Sequence, residues 1–218
     1  MTAVQAAPMG GARATREDWL DLALALLARR GIGAVTVLDL SEKLGVSRSS
    51  FYWRFRSREN FLDALITGWD RLNTRSIVRQ AEARAETITE AVCNVFRCWV
   101  DAALFSPQLD MAVRDWARSS EFARERLDDA DRERMAAIEA MFARHGYATG
   151  EALVRARVLY TMQIGYYALD FREPIEARLS FAPHYLEIFT GVKPREEELA
   201  AFRAYALEHA GAGDFEDP

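Results

Sequence analysis

Between Ser47 and Arg58 the chain sets Arg48, Arg54, Arg56 and Arg58, with no acidic side chain until Glu59, and interleaves them with Ser47, Ser49, Ser50, Tyr52 and Trp53. Guanidinium groups pair with phosphate oxygens and, two-pronged, with the edge of guanine. Hydroxyls donate to phosphates, and large rings cover sugars and base methyls. The set is therefore equipped to hold nucleic acid. A helix face that merely packs on a core would turn Lys, Glu and Ala outward. Candidates for bond-making chemistry are scarcer. His145 follows a helix end, His184 follows Pro183 and His209 lies near the tail, so no pair has metal-ligand spacing. Cys93 and Cys98 lie five apart on one predicted helix, pointing in different directions, with no neighbouring base. Asp128 and Asp129 fall on an alternating-charge face, and no glycine-rich phosphate loop is present. No enzyme, metal or cofactor is expected.

The charge distribution points the same way. The formal net charge is −5, yet residues 13–60 hold nine Arg and Lys against six Asp and Glu, while the remainder holds 19 against 27. A local basic patch on an acidic body is the footprint of a small DNA-reading module joined to something else. With 218 residues, half of them hydrophobic, the chain has room for such a module beside a larger domain with its own core. No apolar run approaches the ~18 residues of a membrane span, and Met1 to Gly11 lacks the basic and apolar regions of a signal peptide. The expectation is a cytoplasmic protein with no membrane partner.

Rigid elements must position the cluster, and the punctuation of the chain predicts helices. No glycine occurs between Gly68 and Gly146, and Pro107 is the only proline in that span. The sole strand-like run is the brief 34–38, so no sheet can form and the fold class is all-α. Residues 1–12 read as a disordered arm, with Arg13 placed to reach a minor groove. Thr15 caps a first helix whose Trp19, Leu22, Ala23, Leu26 and Leu27 face inward and which Gly31 ends. Thr36 caps a second, short helix that Gly45 breaks in a left-handed conformation. A third starts at Ser47, its Phe51 and Phe55 packing toward Leu40, Leu44 and Val46 while Arg48, Ser49, Tyr52 and Trp53 project from the other side. This is a helix-turn-helix, in which the third helix enters the major groove.

Free backbone N–H groups at Ser47 to Ser50 favour a phosphate. Arg48 either clamps a phosphate or pairs with guanine, and Arg54 adds charge on the same helix. Trp53 either covers the sugar-phosphate wall and a thymine methyl or packs on the neighbouring helix. Thr36 and Arg58, at the amino ends of the second and fourth helices, bracket the site as phosphate contacts. Because one such unit covers few bases, useful specificity needs a dimer presenting two recognition helices ~34–36 Å apart.

The run from Thr36 through Gly45-Val46-Ser47 and Phe51-Tyr52-Trp53-Arg54-Phe55 to Glu59, preceded by Ala23, Leu26, Leu27 and Gly31, resembles the DNA-binding domain of the tetracycline-repressor (TetR) family over about residues 13–62. Trp53 and Arg54 stand where the family commonly has two histidines, and Arg58 where it has lysine. The resemblance implies base-reading positions at Ser49 and Ser50 and a phosphate contact at Tyr52, whose other role is packing on the first helix. It also implies that residues 63–218 form a helical regulatory domain, with a pocket for an apolar small molecule and a dimer closed by a four-helix bundle.

In that larger half, glycines, prolines and caps predict helices over 58–84, 87–105, 107–117, 120–145 and 149–171, the last capped by Thr149, followed by shorter pieces broken at Pro174, Pro183 and Pro194. The 149–171 helix is apolar on two sides, and the stripe Leu153, Ala156, Tyr160, Ile164 and Tyr167 is the candidate dimer interface. Phe96, Trp99, Trp116, Phe122, Tyr160, Gln163 and Tyr166 are the candidate ligand-binding residues. The functional expectation is a homodimeric, sequence-specific regulator of transcription: a repressor released from a palindromic double-stranded operator by a small apolar or aromatic effector. The alternative is a helical small-molecule-binding or interaction protein that keeps the fold but does not read DNA.

Overall fold

The computed structural model describes residues 14–209; the arm 1–12 and Arg13 lie outside the described residues. Among these residues the secondary structure is helical throughout, as the punctuation predicts. Helix α1 spans Arg16–Arg30 and opens on a reciprocal cap, in which Thr15 Oγ1 accepts from the Asp18 N–H at 3.1 Å and Asp18 Oδ2 accepts from the Thr15 N–H at 2.7 Å. Helix α2 (Val37–Leu44) is capped by the Thr36 hydroxyl and closed by Gly45 at φ 65°, ψ 30°, a conformation that favours glycine. Helix α3 (Arg48–Phe55) ends on Arg56 at φ 61°, and α4 (Arg58–Trp69) begins behind the Ser57 cap.

The predicted 58–84 helix is one continuous helical run with a π-helical segment at Asp70–Thr74, after which α5 follows at Arg75–Glu82. Helix α6 (Ile88–Arg97) stops short of the predicted end at 105. Asp101 accounts for the difference: its carboxylate accepts from the Ala103 N–H at 2.8 Å and from the Tyr205 hydroxyl at 2.6 Å, and this local alternative to helical bonding turns the chain. Helices α7 (Pro107–Trp116) and α8 (Glu121–Arg144) are capped by Ser106 and Ser120. Helix α9 (Thr149–Ala168) starts behind Ala148, so Thr149 is its first residue and not its cap, and it ends before 171. Pro183 breaks nothing: α10 runs through it from Ile175 to Thr190, held by packing on α6, α9 and α11 (Glu196–His209).

Two apolar clusters hold these helices. Phe51 sits at the centre of the first, 5.4 Å from Trp19, 5.1 Å from Phe55 and 5.1 Å from Phe61 between ring centroids. This cluster continues through Trp69 into Leu109, Val113 and Trp116 of α7 and Leu127 of α8, so α1 is seated directly on the larger half. The second cluster joins α5, α6, α8, α9, α10 and α11 around Val92, Phe96, Ile138, Phe142 and Leu159.

Candidate functional site

Once Phe51 and Phe55 are buried, helical geometry forces Arg48, Ser49, Tyr52 and Trp53 outward. Trp53 is 88% exposed and Tyr52 56%, and the Tyr52 ring stands edge-on to Phe51 at 5.3 Å. Trp53 therefore does not pack on a neighbouring helix. Thr36, Ser47, Arg48, Ser49, Arg54 and Arg58 are exposed as well. Ser50 differs from the sequence expectation: its Oγ is buried and without a hydrogen-bond partner, so it faces the protein and is not presented with Ser49. The Ser47 and Ser49 hydroxyls lie 2.8 Å apart. That leaves the backbone N–H groups at the start of α3 uncapped by Ser47 and open to an anion.

None of Arg48, Arg54, Arg56 and Arg58 enters a salt bridge among the described residues. Arg54 is otherwise engaged, donating from Nη2 to the Ala14 carbonyl at 2.9 Å and tying α3 to the start of α1. Thr36 donates to Asp39 Oδ2 at 2.7 Å while accepting from the Asp39 N–H. Arg56, part of the arginine run but given no contact of its own by the sequence, is exposed on the corner between α3 and α4, beside Arg58. The signal available was its place in the arginine run.

The candidate ligand residues separate into three groups. Phe96, Trp99, Gln163 and Tyr166 come together in one cleft, joined by Met162 of α9, Arg178 and Tyr185 of α10 and Phe202 of α11. Trp116 and Phe122 do not reach it: their rings pack 5.9 Å apart in the first cluster, beside α1. Tyr160 points the other way, into a buried polar joint. The candidate dimer stripe is turned largely inward in the single chain. Ala156 and Tyr160 are buried in the chain's own core, and Leu153, Ile164 and Tyr167 are partly buried, with Ile164 and Tyr167 packed against that core. The exposed apolar side of α9 is instead Val154, Val158 and Leu169, and Val154 and Val158 meet exposed Ile188 of α10 at a common surface depression.

The polar joint was not foreseen. Arg134 and Asp110 are both wholly buried, with Arg134 Nη1 donating to Asp110 Oδ1 at 2.9 Å. Asp110 also accepts from Trp69 Nε1 at 3.0 Å and from Arg114 Nε at 3.0 Å. Arg114 forks onto Asp131 at 2.9 and 2.7 Å, and the Tyr160 hydroxyl receives from both arginines and donates to Asp131 at 2.6 Å. The π segment turns Asn73 and Thr74 inward, where Thr74 Oγ1 accepts from Arg134. Two arginines and two aspartates balance in charge. Burial alone would raise the Asp110 carboxyl, but Arg134 and Arg114 hold it below the usual carboxylate range. The sequence did carry a signal: Leu127, Ala130, Arg134, Ile138 and Met141 keep core spacing along α8, with an arginine where an apolar residue belongs.

Cys93 and Cys98 are buried, and burial pushes both thiols up to about 12, which keeps them protonated and unreactive. No helix among the described residues is long and apolar enough to cross a membrane.

Comparison with known proteins meets this geometry at the N-terminal helices. Residues 20–65 match the bacterial regulatory proteins of the tetR family. The HTH-type transcriptional repressor KstR2 of Rhodococcus jostii (strain RHA1) is 35% identical over 69 residues, 32% of this chain and 34% of that one. The tetracycline repressor protein class D of Escherichia coli is 41% identical over 54 residues, 25% of each chain. The matches thus span between 25% and 34% of these relatives' length. Over most of the length the likeness is in fold: the reduced form of E. coli NemR superposes with a TM-score of 0.61 at 20% identity, covering 84% of this chain and 100% of that one. Mycobacterium smegmatis AmtR gives 0.58 at 19%, covering 93% and 98%. Residues 20–65 thus carry the helix-turn-helix domain of the tetR family of bacterial regulatory proteins, and over most of its length the chain shares the all-α fold of these structures.

Proposed function

We propose that the chain is a homodimeric, sequence-specific DNA-binding regulator, a repressor that leaves its palindromic operator when a small apolar or aromatic molecule binds the C-terminal half. The observation that carries the reading is the outer face of α3: Trp53 is 88% exposed beside Tyr52, Ser49 and Arg48, which enters no salt bridge among the described residues. Leaving an indole in water is costly unless a partner covers it. Ser47, Arg56 and Arg58 flank it as phosphate contacts, Thr36 and Arg54 join them by exchanging their bonds to Asp39 and the Ala14 carbonyl, and Arg48 and Ser49 face the bases. The names of the matched relatives, both repressors, support the sign of regulation.

The dimer closes through the exposed rows Val154 and Val158 of α9 and Ile188 of α10, a second copy of the chain covering apolar surface that the fold leaves bare. Release requires that the effector bind the DNA-incompetent arrangement better than the competent one. Helix α9 supplies the connection. One side of it carries Gln163 and Tyr166 to the cleft, and a turn earlier Tyr160 enters the joint that grips Trp69 at the end of α4, the helix leading out of the DNA-reading domain.

Fluorescence anisotropy of the full chain on a labelled duplex pool, followed against salt, tests the reading. The expected result is a log–log slope of several units, as about 0.9 counterions are released per phosphate contact. Absence of binding at low salt would favour a protein that keeps this fold without reading DNA.

A further inference from the structure

We infer that the cleft between α6, α9, α10 and α11 takes a single aromatic ring bearing an acceptor oxygen, an aromatic ketone or carboxylate, with that oxygen on the amide of Gln163. The inference rests on the proposed role of the C-terminal half as the effector-binding part and gives its ligand a chemical class. Gln163 lines the cleft and is only 6% exposed, and neither its Nε2 nor the neighbouring buried Tyr167 hydroxyl completes a well-formed hydrogen bond among the described residues. A buried N–H donor left unpaired is unfavourable, so an acceptor arriving there gains more than it would in water.

The surroundings select the ligand's polarity. Glu173 Oε2 already accepts from the Tyr166 hydroxyl at 3.0 Å, and Arg178 Nη2 donates to the Trp99 carbonyl at 2.9 Å. The Arg178 guanidinium, 5.4 Å from the Tyr166 ring centre, keeps further N–H groups at the cleft. The Gln163 amide and the Arg178 guanidinium are thus donors at this wall, with the Glu173 carboxylate bonded to the Tyr166 hydroxyl, and an amine would set a cation beside Arg178 and a donor against Gln163. The walls select a ring: Phe96 lies 5.1 Å from Trp99 and 5.8 Å from Phe202, tilted and edge-on, an aromatic wall against which a further ring packs. Size limits it to one. The free volume is ≈ 60 Å³, against about 150 Å³ for an apolar cavity that admits benzene. Entry therefore displaces the link 169–174, which carries Glu173 to the mouth and turns at Asp170 with φ 52°.

The test uses the full chain labelled with 13C-methyl methionine, with the Met162 signal in the cleft identified by its loss in Met162→Leu. Acetophenone and benzoate, the neutral and anionic forms of the proposed chemistry, are titrated beside toluene and benzylamine. The expected result is a saturable shift of Met162 with acetophenone or benzoate at a Kd about tenfold below that of toluene, with benzylamine weaker still. In Gln163→Leu the preference over toluene should fall to about twofold, while toluene binding persists as proof that the cleft survives. Equal affinity for toluene, stronger binding of benzylamine, an unchanged preference in Gln163→Leu, or no shift of Met162 with any probe would overturn the inference. Should Gln163→Leu not fold, Gln163→Glu replaces it: benzoate binding should be lost, and its retention would overturn the inference. DNA affinity of the ligand-free chain is measured in parallel. Failure of ring binding with DNA binding intact removes this inference alone, whereas ring binding without DNA binding removes the regulator reading alone.

Discussion

Arg48 is exposed on α3, and Tyr52 meets the core only through its edge-on contact with Phe51. Arg48→Ala should leave the unfolding midpoint nearly unchanged, and Tyr52→Ala should lower stability by no more than about 1 kcal/mol. Each should weaken operator binding by roughly tenfold or more, as expected for about 1–3 kcal/mol per base-reading contact. For a pure phosphate contact, binding should weaken uniformly across sequences and the salt slope drop by about one unit. Anisotropy on operator and scrambled duplexes separates the two. Arg134 belongs to the opposite class. Arg134→Ala removes one of the two guanidinium partners of buried Asp110, leaving Arg114 alone to balance both Asp110 and Asp131, and should destabilise the chain by about 3–5 kcal/mol in urea denaturation, whereas Arg134→Met refills the space without restoring the lost charge. The pH dependence follows from the direction of the Asp110 shift. Its folded pKa lies below the unfolded value of about 3.9, so its stabilisation is fully present above that value and lost as pH falls through the folded one. Asp110→Asn should therefore be less stable than the wild type at pH 7, with the gap narrowing near pH 3. The outward set on α3 was legible in the sequence because its types and spacing are unlike a solvated helix face. Ser50 was not, since a one-residue offset on a helix turns a hydroxyl through about 100° and only packing decides which side is wet.

The elements of the DNA-reading half were legible almost to the residue. Caps and left-handed glycines are local signals: Thr15, Thr36, Gly31 and Gly45 act through bonds to residues three or four away. Gly45→Ala forces a β-carbon into φ 65°, and should cost about 1–2 kcal/mol in urea denaturation; an unchanged midpoint would contradict the strain assigned to this turn. The C-terminal elements were less legible, and for tertiary reasons. Helix α6 ends early because Asp101 and Tyr205, 104 positions apart in sequence, bond to each other. Helix α10 survives Pro183 because three helices pack against it. The two apolar stripes of α9 were both visible, but periodicity says only that each is covered, not by which neighbour. The stripe with Ala156 and Tyr160 closes the chain's own core, and the stripe with Val154 and Val158 stays bare.

For the whole molecule, the proposed dimer makes a direct prediction. Val158→Glu together with Ile188→Glu places charges on exposed positions, so the helical content should persist, while sedimentation should show a monomer and operator affinity should collapse for want of the second recognition helix. A doubly substituted chain that remains dimeric would put the interface elsewhere. The central claim is that two copies of the Trp53 face read a symmetric duplex. The most direct measurement is selection of binding sites from random duplex DNA by the purified full chain, followed by affinity against salt on the enriched sequence. A two-fold symmetric site, bound with steep salt dependence and lost in Arg48→Ala, is the predicted result; a folded, ligand-free chain that enriches no sequence would contradict it.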